Sequence, residues 1–138
     1  MAKIRLFQSK LMADALGADA AKDLLADFRL YKEKGVLPNT FGRDAPYDFT
    51  SNRRFLELQH IHLKRNGETF PVRLLQFSRT SGYVLVYCPG FFDSSAYLLI
   101  TVIKHWDHRK PKEVAGTDKD PNLMAKLEAI AEGFREKF

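Results

Sequence analysis

Two histidines stand one residue apart in the stretch QHIHLKRNG, His60 and His62, with Lys64 and Arg65 behind them and Arg73 and Arg79 further along. On an extended strand, residues two apart project to the same face, so both imidazoles would reach one site. Two chemistries use that geometry. A divalent metal would need one or two further ligands, and the surrounding cations oppose it. The first acid after the pair, Glu68, is followed by TFPVRLLQF, which lacks the glycine a cupin-like metal site wants. Metal-free RNA cleavage needs a base for the ribose 2′-hydroxyl, an acid for the departing 5′-oxygen and a cation for the phosphate. Histidine suits the first two tasks, and the planar fork of arginine suits the third. All of these residue types are present, and no metal or cofactor is assigned. A half-buried, hydrogen-bonded histidine pair would show the same spacing, and spacing alone does not separate the two.

A second cluster, VIKHWDHRKPK, holds Lys104, His105, His108, Arg109, Lys110 and Lys112 against Asp107, with Trp106 among them. Cations interleaved with an aromatic are what single-stranded RNA recognition uses, and a solvated basic loop is the plainer alternative. In FGRDAPYDF, Arg43 and Asp44 suit either a structural ion pair and turn or the positioning of a substrate.

These residues need elements to hold them. KIRLFQ alternates as a half-buried strand does. A helical pair follows, broken at Gly17, capped at Asp19 and ended by Gly35 after a basic last turn, with Leu24, Phe28 and Tyr31 on one stripe. Residues 36–54 show neither period and contain two prolines, which predicts an irregular segment. Four strands are then expected, FLELQHIHL, PVRLLQFSR, YVLVYC and AYLLITVIKH, with a tight hairpin at Thr80-Ser81-Gly82-Tyr83 that sets Arg79 roughly opposite Val84. Asp120 and Pro121 start a last helix whose Met124, Leu127, Ala131 and Phe134 form an apolar stripe. The expected fold is α+β: an antiparallel sheet of about four strands, helices on one face, in a single domain spanning residues 1–138.

Lys and Arg number 22 against 17 Asp and Glu, a formal net charge of +5, which suits a polyanionic partner. The one cysteine, Cys88, can make neither an internal disulfide nor a zinc site, as befits a reducing compartment. The start of the chain lacks a signal-peptide core, and AYLLITVI is too short to span a bilayer. The expected location is the cytoplasm, away from membranes.

Several segments in order, GVLPNTFGRDAPYD, HIHL, QFSRT, LVYC followed by FD, LLI with a lysine shortly after, and AEGFREKF, resemble the YafO toxins of bacterial type II toxin–antitoxin systems, from about residue 24 to the end. The resemblance implies a ribosome-dependent endoribonuclease that cuts translated mRNA by metal-independent 2′-hydroxyl attack, held inactive by a YafN-like antitoxin. It also implies kinship with the RelE-like fold, in βααβββα order. The family pattern covers Arg43, Asp44, Tyr47, His60, His62, Gln76, Arg79, Tyr87, Lys104 and His108, and ranks His105 below His108. On this reading His62 is the base, Arg79 clamps the phosphate, His108 or His60 is the acid, and Arg43, Lys64, Arg65, Lys104 and Arg109 hold RNA and ribosome. A module that blocks translation by binding alone would share the charge and aromatics without needing the histidines.

Overall fold

The computed structural model describes residues 3–138. The elements run β1 (Arg5–Gln8), α1 (Lys10–Leu16), α2 (Ala18–Lys34), β2 (Phe41–Pro46), α3 (Ser51–Phe55), β3 (Gln59–Leu63), β4 (Tyr83–Pro89), β5 (Ala96–Lys104) and α4 (Pro121–Lys137). They form an α+β structure with one five-stranded sheet in the order β1-β5-β4-β3-β2.

The helix ends follow local chemistry. Gly17, at φ +83°, closes α1, and Gly35, at φ +65°, takes the left-handed turn that ends α2 after Lys32 and Lys34. The α2 cap is Gly17 rather than Asp19, which falls inside the first turn. Asp120 accepts from the amides of Asn122 and Leu123 and Pro121 opens α4, as expected.

The sheet departs from expectation in four ways. Residues 41–46 of the supposed irregular segment form edge strand β2, antiparallel to β3 and bulged between Phe41 and Asp44. A bulge breaks the period of two, which hid the strand. PVRLLQFSR is not a strand: it is a run of turns with one 3₁₀ turn at Gln76–Ser78, and β3 pairs directly with β4 across the 64–82 excursion. Thr80 to Tyr83 is therefore no hairpin turn, and Val84 faces His62 and Ile103 instead of Arg79. Third, β1 pairs with β5 in parallel, so the sheet is mixed and the order is βααβαβββα. Within FLELQHIHL only residues 59–63 are strand, because α3 precedes them and Glu57 turns at φ +52°.

Helices cover both faces, not one. On one side Met12, Leu24 and Phe28 pack on Ile61, Leu63, Leu85, Tyr87 and Leu99. On the other, Met124, Leu127, Ala131 and Phe134 of α4 pack on Val84, Val86, Cys88, Leu98 and Ile100, and Leu56 and Leu58 join them. Alternation along β3 puts Ile61 and Leu63 in the first core and aims His60 and His62 at the α4 side.

Candidate active site

Cross-strand register builds the site. Ala45, His60, Val86 and Thr101 lie in one row across β2 to β5, and His62, Val84 and Ile103 in the next. Continuing the alternation of β5 past Ile103 carries His105 to the same face, where its amide donates to the Gly82 carbonyl at 2.9 Å. The ring centroids of His62 and His105 are 4.7 Å apart, those of His60 and His62 5.9 Å, and those of His60 and His105 6.1 Å. One ring nitrogen from each of the three lies within 4.8 Å of the others. They open onto a cleft of about 810 Å³ whose wall also includes Arg43, Ser81, Trp106, His108 and Arg109.

Each histidine is held differently. His60 is 9% exposed and stacks on Tyr47 at 4.0 Å between centroids, with planes 11° apart. Its Nδ1 is buried without a hydrogen-bond partner among the described residues. His62 is 3% exposed, and its Nδ1 sits between the Ser81 N–H at 2.9 Å and the Ser81 carbonyl at 3.1 Å. Ser81 thus accommodates either tautomer: its amide donates to a bare Nδ1 and its carbonyl accepts from a protonated one. His105 is more exposed, with Nε2 3.6 Å from Oδ2 of Asp118. Asp118 is buried, accepts from the Tyr47 hydroxyl at 2.9 Å and from the Trp106 amide at 2.8 Å, and so links the histidines to the 105–118 loop.

Burial, then the neighbouring imidazoles, push the His60 pKa down to about 4; burial, then His105, does the same to His62. Both rings are therefore neutral near pH 7, with a lone pair available for a proton.

The other residues singled out in the sequence are spread more widely. Arg43 lies in the cleft wall, its Nε donating to the Phe77 carbonyl at 2.6 Å and its guanidinium over the Phe77 ring. His108 and Arg109 stand exposed at the rim, Arg109 paired with Asp107. Arg79 is not a cleft residue. It is 3% exposed, and its guanidinium donates to the carbonyls of Leu74, Phe41 and Val72 at 2.9, 3.3 and 3.2 Å. With no strand at 71–79 to place it in a hairpin, its fork closes the 71–79 loop onto β2. Lys64 and Arg65 follow β3 onto the α2 side and line a depression with Asp23 and Asp27. Lys104 faces a neighbouring depression with Tyr83 and Lys112. Asp44 accepts from Tyr31 and Tyr87, and Gln76 donates to Tyr31 and the Gly42 carbonyl, so these residues form a structural network on the face of the sheet away from the histidines.

The sequence reading placed His105 below His108 and did not name Asp118; the structure sets His105 beside His60 and His62 and His108 at the rim. For His105 the signal was present, two residues beyond Ile103 in an apolar strand; for Asp118, brought in by the fold of a loop, there was none.

The model for the family described as "Toxin YafO, type II toxin-antitoxin system" matches residues 29–136. The chain belongs to the YafO toxin family. The mRNA interferase toxin YafO of Escherichia coli (strain K12) is 43% identical to it over 139 residues, covering 98% of this chain and 100% of that protein. No solved structure matches. Among the described residues, no helix is long and apolar enough to cross a membrane.

Proposed function

We propose that this YafO-family toxin is an endoribonuclease that cuts mRNA during translation in the cytoplasm, through attack of a ribose 2′-hydroxyl on the adjacent phosphate. The observation that carries the reading is the meeting of His60, His62 and His105 with Arg43 in one cleft, with two imidazoles neutral. His62 is the base. When its Nε2 takes the hydroxyl proton, the Nδ1–H of the imidazolium is accepted by the Ser81 carbonyl. His105, backed by Asp118, protonates the 5′-oxygen as the P–O bond breaks, and His108 at the rim is the alternative donor. Arg43 and Arg109 neutralise charge on the phosphate, Arg43 in the part first given to Arg79. Tyr47 and His60 pack beneath and fix the other rings. The relative's name supports mRNA as substrate, and the family supports an antitoxin of the YafN kind as partner and a RelE-like relationship of the fold.

Primer extension on an mRNA being translated in a purified system tests this, with His62→Ala and a ribosome-free control. New 5′ ends that require both ribosomes and His62 are the expected result. Arrest without new ends, unchanged in the variant, would replace the nuclease with a module that blocks translation by binding.

A further inference from the structure

We propose that His60, His62 and His105 also form a three-imidazole site for Zn²⁺, and that loading it silences the nuclease. The inference rests on the reading above only in its second half; the binding half stands on geometry.

Three ring nitrogens within 4.8 Å of one another need only small side-chain rotations to reach one ion at the ~2.0–2.1 Å of a Zn–N bond. Three histidines with an open cleft before them are also the donor set of zinc sites that keep a fourth position for water.

The outer contacts point the same way. A histidine that binds a metal through one nitrogen almost always gives its other N–H to a backbone carbonyl or carboxylate. Nδ1 of His62 faces Ser81, whose amide donates to it at 2.9 Å and whose carbonyl lies at 3.1 Å; with the proton on Nδ1 the carbonyl accepts it and Nε2 is left for an ion. Oδ2 of Asp118 lies 3.6 Å from Nε2 of His105, a carboxylate beside that nitrogen though beyond hydrogen-bond distance. Asp118 is itself fixed by the Tyr47 hydroxyl and the Trp106 amide. His60 adds a buried Nδ1 with no partner among the described residues. Of the cations at the cleft, Arg109 stands at the rim paired with Asp107, and the guanidinium of Arg43 lies over the Phe77 ring with its Nε on the Phe77 carbonyl.

An ion on these nitrogens takes the lone pair of the base and the proton of the acid together. Cleavage should stop without any change of fold.

The test uses the full chain without an affinity tag and Zn²⁺ alone, titrated in competition with a chromophoric chelator. One equivalent should bind. Asp118→Asn should weaken binding by about 10–100-fold, His105→Ala by more, and His108→Ala should leave it unchanged. Co²⁺ on the wild-type chain should give the intense visible bands of tetrahedral coordination, a readout that needs no variant to fold. In the translation system, one equivalent of Zn²⁺ should abolish new 5′ ends and a zinc-selective chelator should restore them. Absence of binding, binding indifferent to His105→Ala, or weak octahedral Co²⁺ bands would overturn the site. Zinc bound at the histidines with cleavage intact would overturn the silencing. Metal-free protein that makes no cuts would count against the nuclease alone, since zinc binding is read without it.

Discussion

Two arginines singled out in the sequence, Arg43 and Arg79, separate into different surroundings once their donors are followed. Removing the Arg79 guanidinium leaves the carbonyls of Leu74, Phe41 and Val72 without it in a buried setting, and each unsatisfied group costs about 1–3 kcal/mol. Arg79→Ala should therefore lower the urea midpoint by an amount equivalent to at least ~2 kcal/mol. Arg43→Ala loses one exposed hydrogen bond to the Phe77 carbonyl, so it should cost about 1 kcal/mol of stability and lower the cleavage rate by about 10²–10³. Equal stability losses in both variants would undo that division. His62→Ala should lower the rate by about 10²–10⁴ with an unchanged circular dichroism spectrum, as expected for loss of a general base. The same histidines make stability depend on pH. Their folded pKa values of about 4 lie below the ordinary 6.5, so between these values the unfolded chain binds protons that the folded chain does not. Their stabilising contribution is complete above about pH 6.5 and is lost as the pH falls toward 4. Urea midpoints measured from pH 7.5 to 4.5 should fall in the wild type, and fall less in a His60→Ala, His62→Ala double variant.

At the scale of elements, the site depends on how closely the 71–79 loop approaches β2. A methyl group built on Gly42 would collide with the backbone carbonyl of Arg79 and come within 2.9 Å of the Phe70 ring. Gly42→Ala should push that loop away from Arg43 and the cleft, with loss of melting temperature and activity together; an alanine variant with wild-type melting would show that the loop gives way freely. This packing also explains what the sequence disclosed. The helices were legible because Gly17, Gly35 and the Asp120-Pro121 start are local signals, and β4 and β5 because their apolar runs are buried on both faces. The bulged edge strand β2 was not, since its period is broken and its pairing is with residues near 60. PVRLLQFSR misled for the opposite reason. Its alternation mimics a strand, yet Val72, Leu75 and Phe77 are exposed while Arg79 is buried, so its polarity is set by the loop's contacts with β2. The histidine pair needed only a period of two, and its third member only the same period continued along β5; Asp118 arrives through a loop closure that no local pattern encodes.

Over the whole molecule, the cations behind the net charge of +5 fall into two groups, one at the cleft and one on the α2 side. Arg43 and Arg109 border the cleft, and Lys104 and Lys112 border the depression beside it, which shares Gly82, His105 and Asp107 with the cleft wall. Lys64 and Arg65 stand on the α2 side next to Asp23 and Asp27, in a depression that shares no residue with the cleft wall. If the basic charge serves to bring RNA to the histidines, each phosphate contact should release counterions, and binding should weaken linearly in log affinity against log salt, by about 0.7 per contact for a single strand. The two groups of cations then differ in a measurable way. Fluorescence anisotropy with a labelled single-stranded RNA, made resistant to cleavage by 2′-deoxy substitution, should show a shallower salt slope for Lys104→Ala and Arg109→Ala, by roughly one contact each. Lys64→Ala and Arg65→Ala should leave the slope where it was. A reduction of equal size in all four would mean that RNA follows the charge around the molecule rather than the line of the cleft, and the assignment of the cleft as its path would fall.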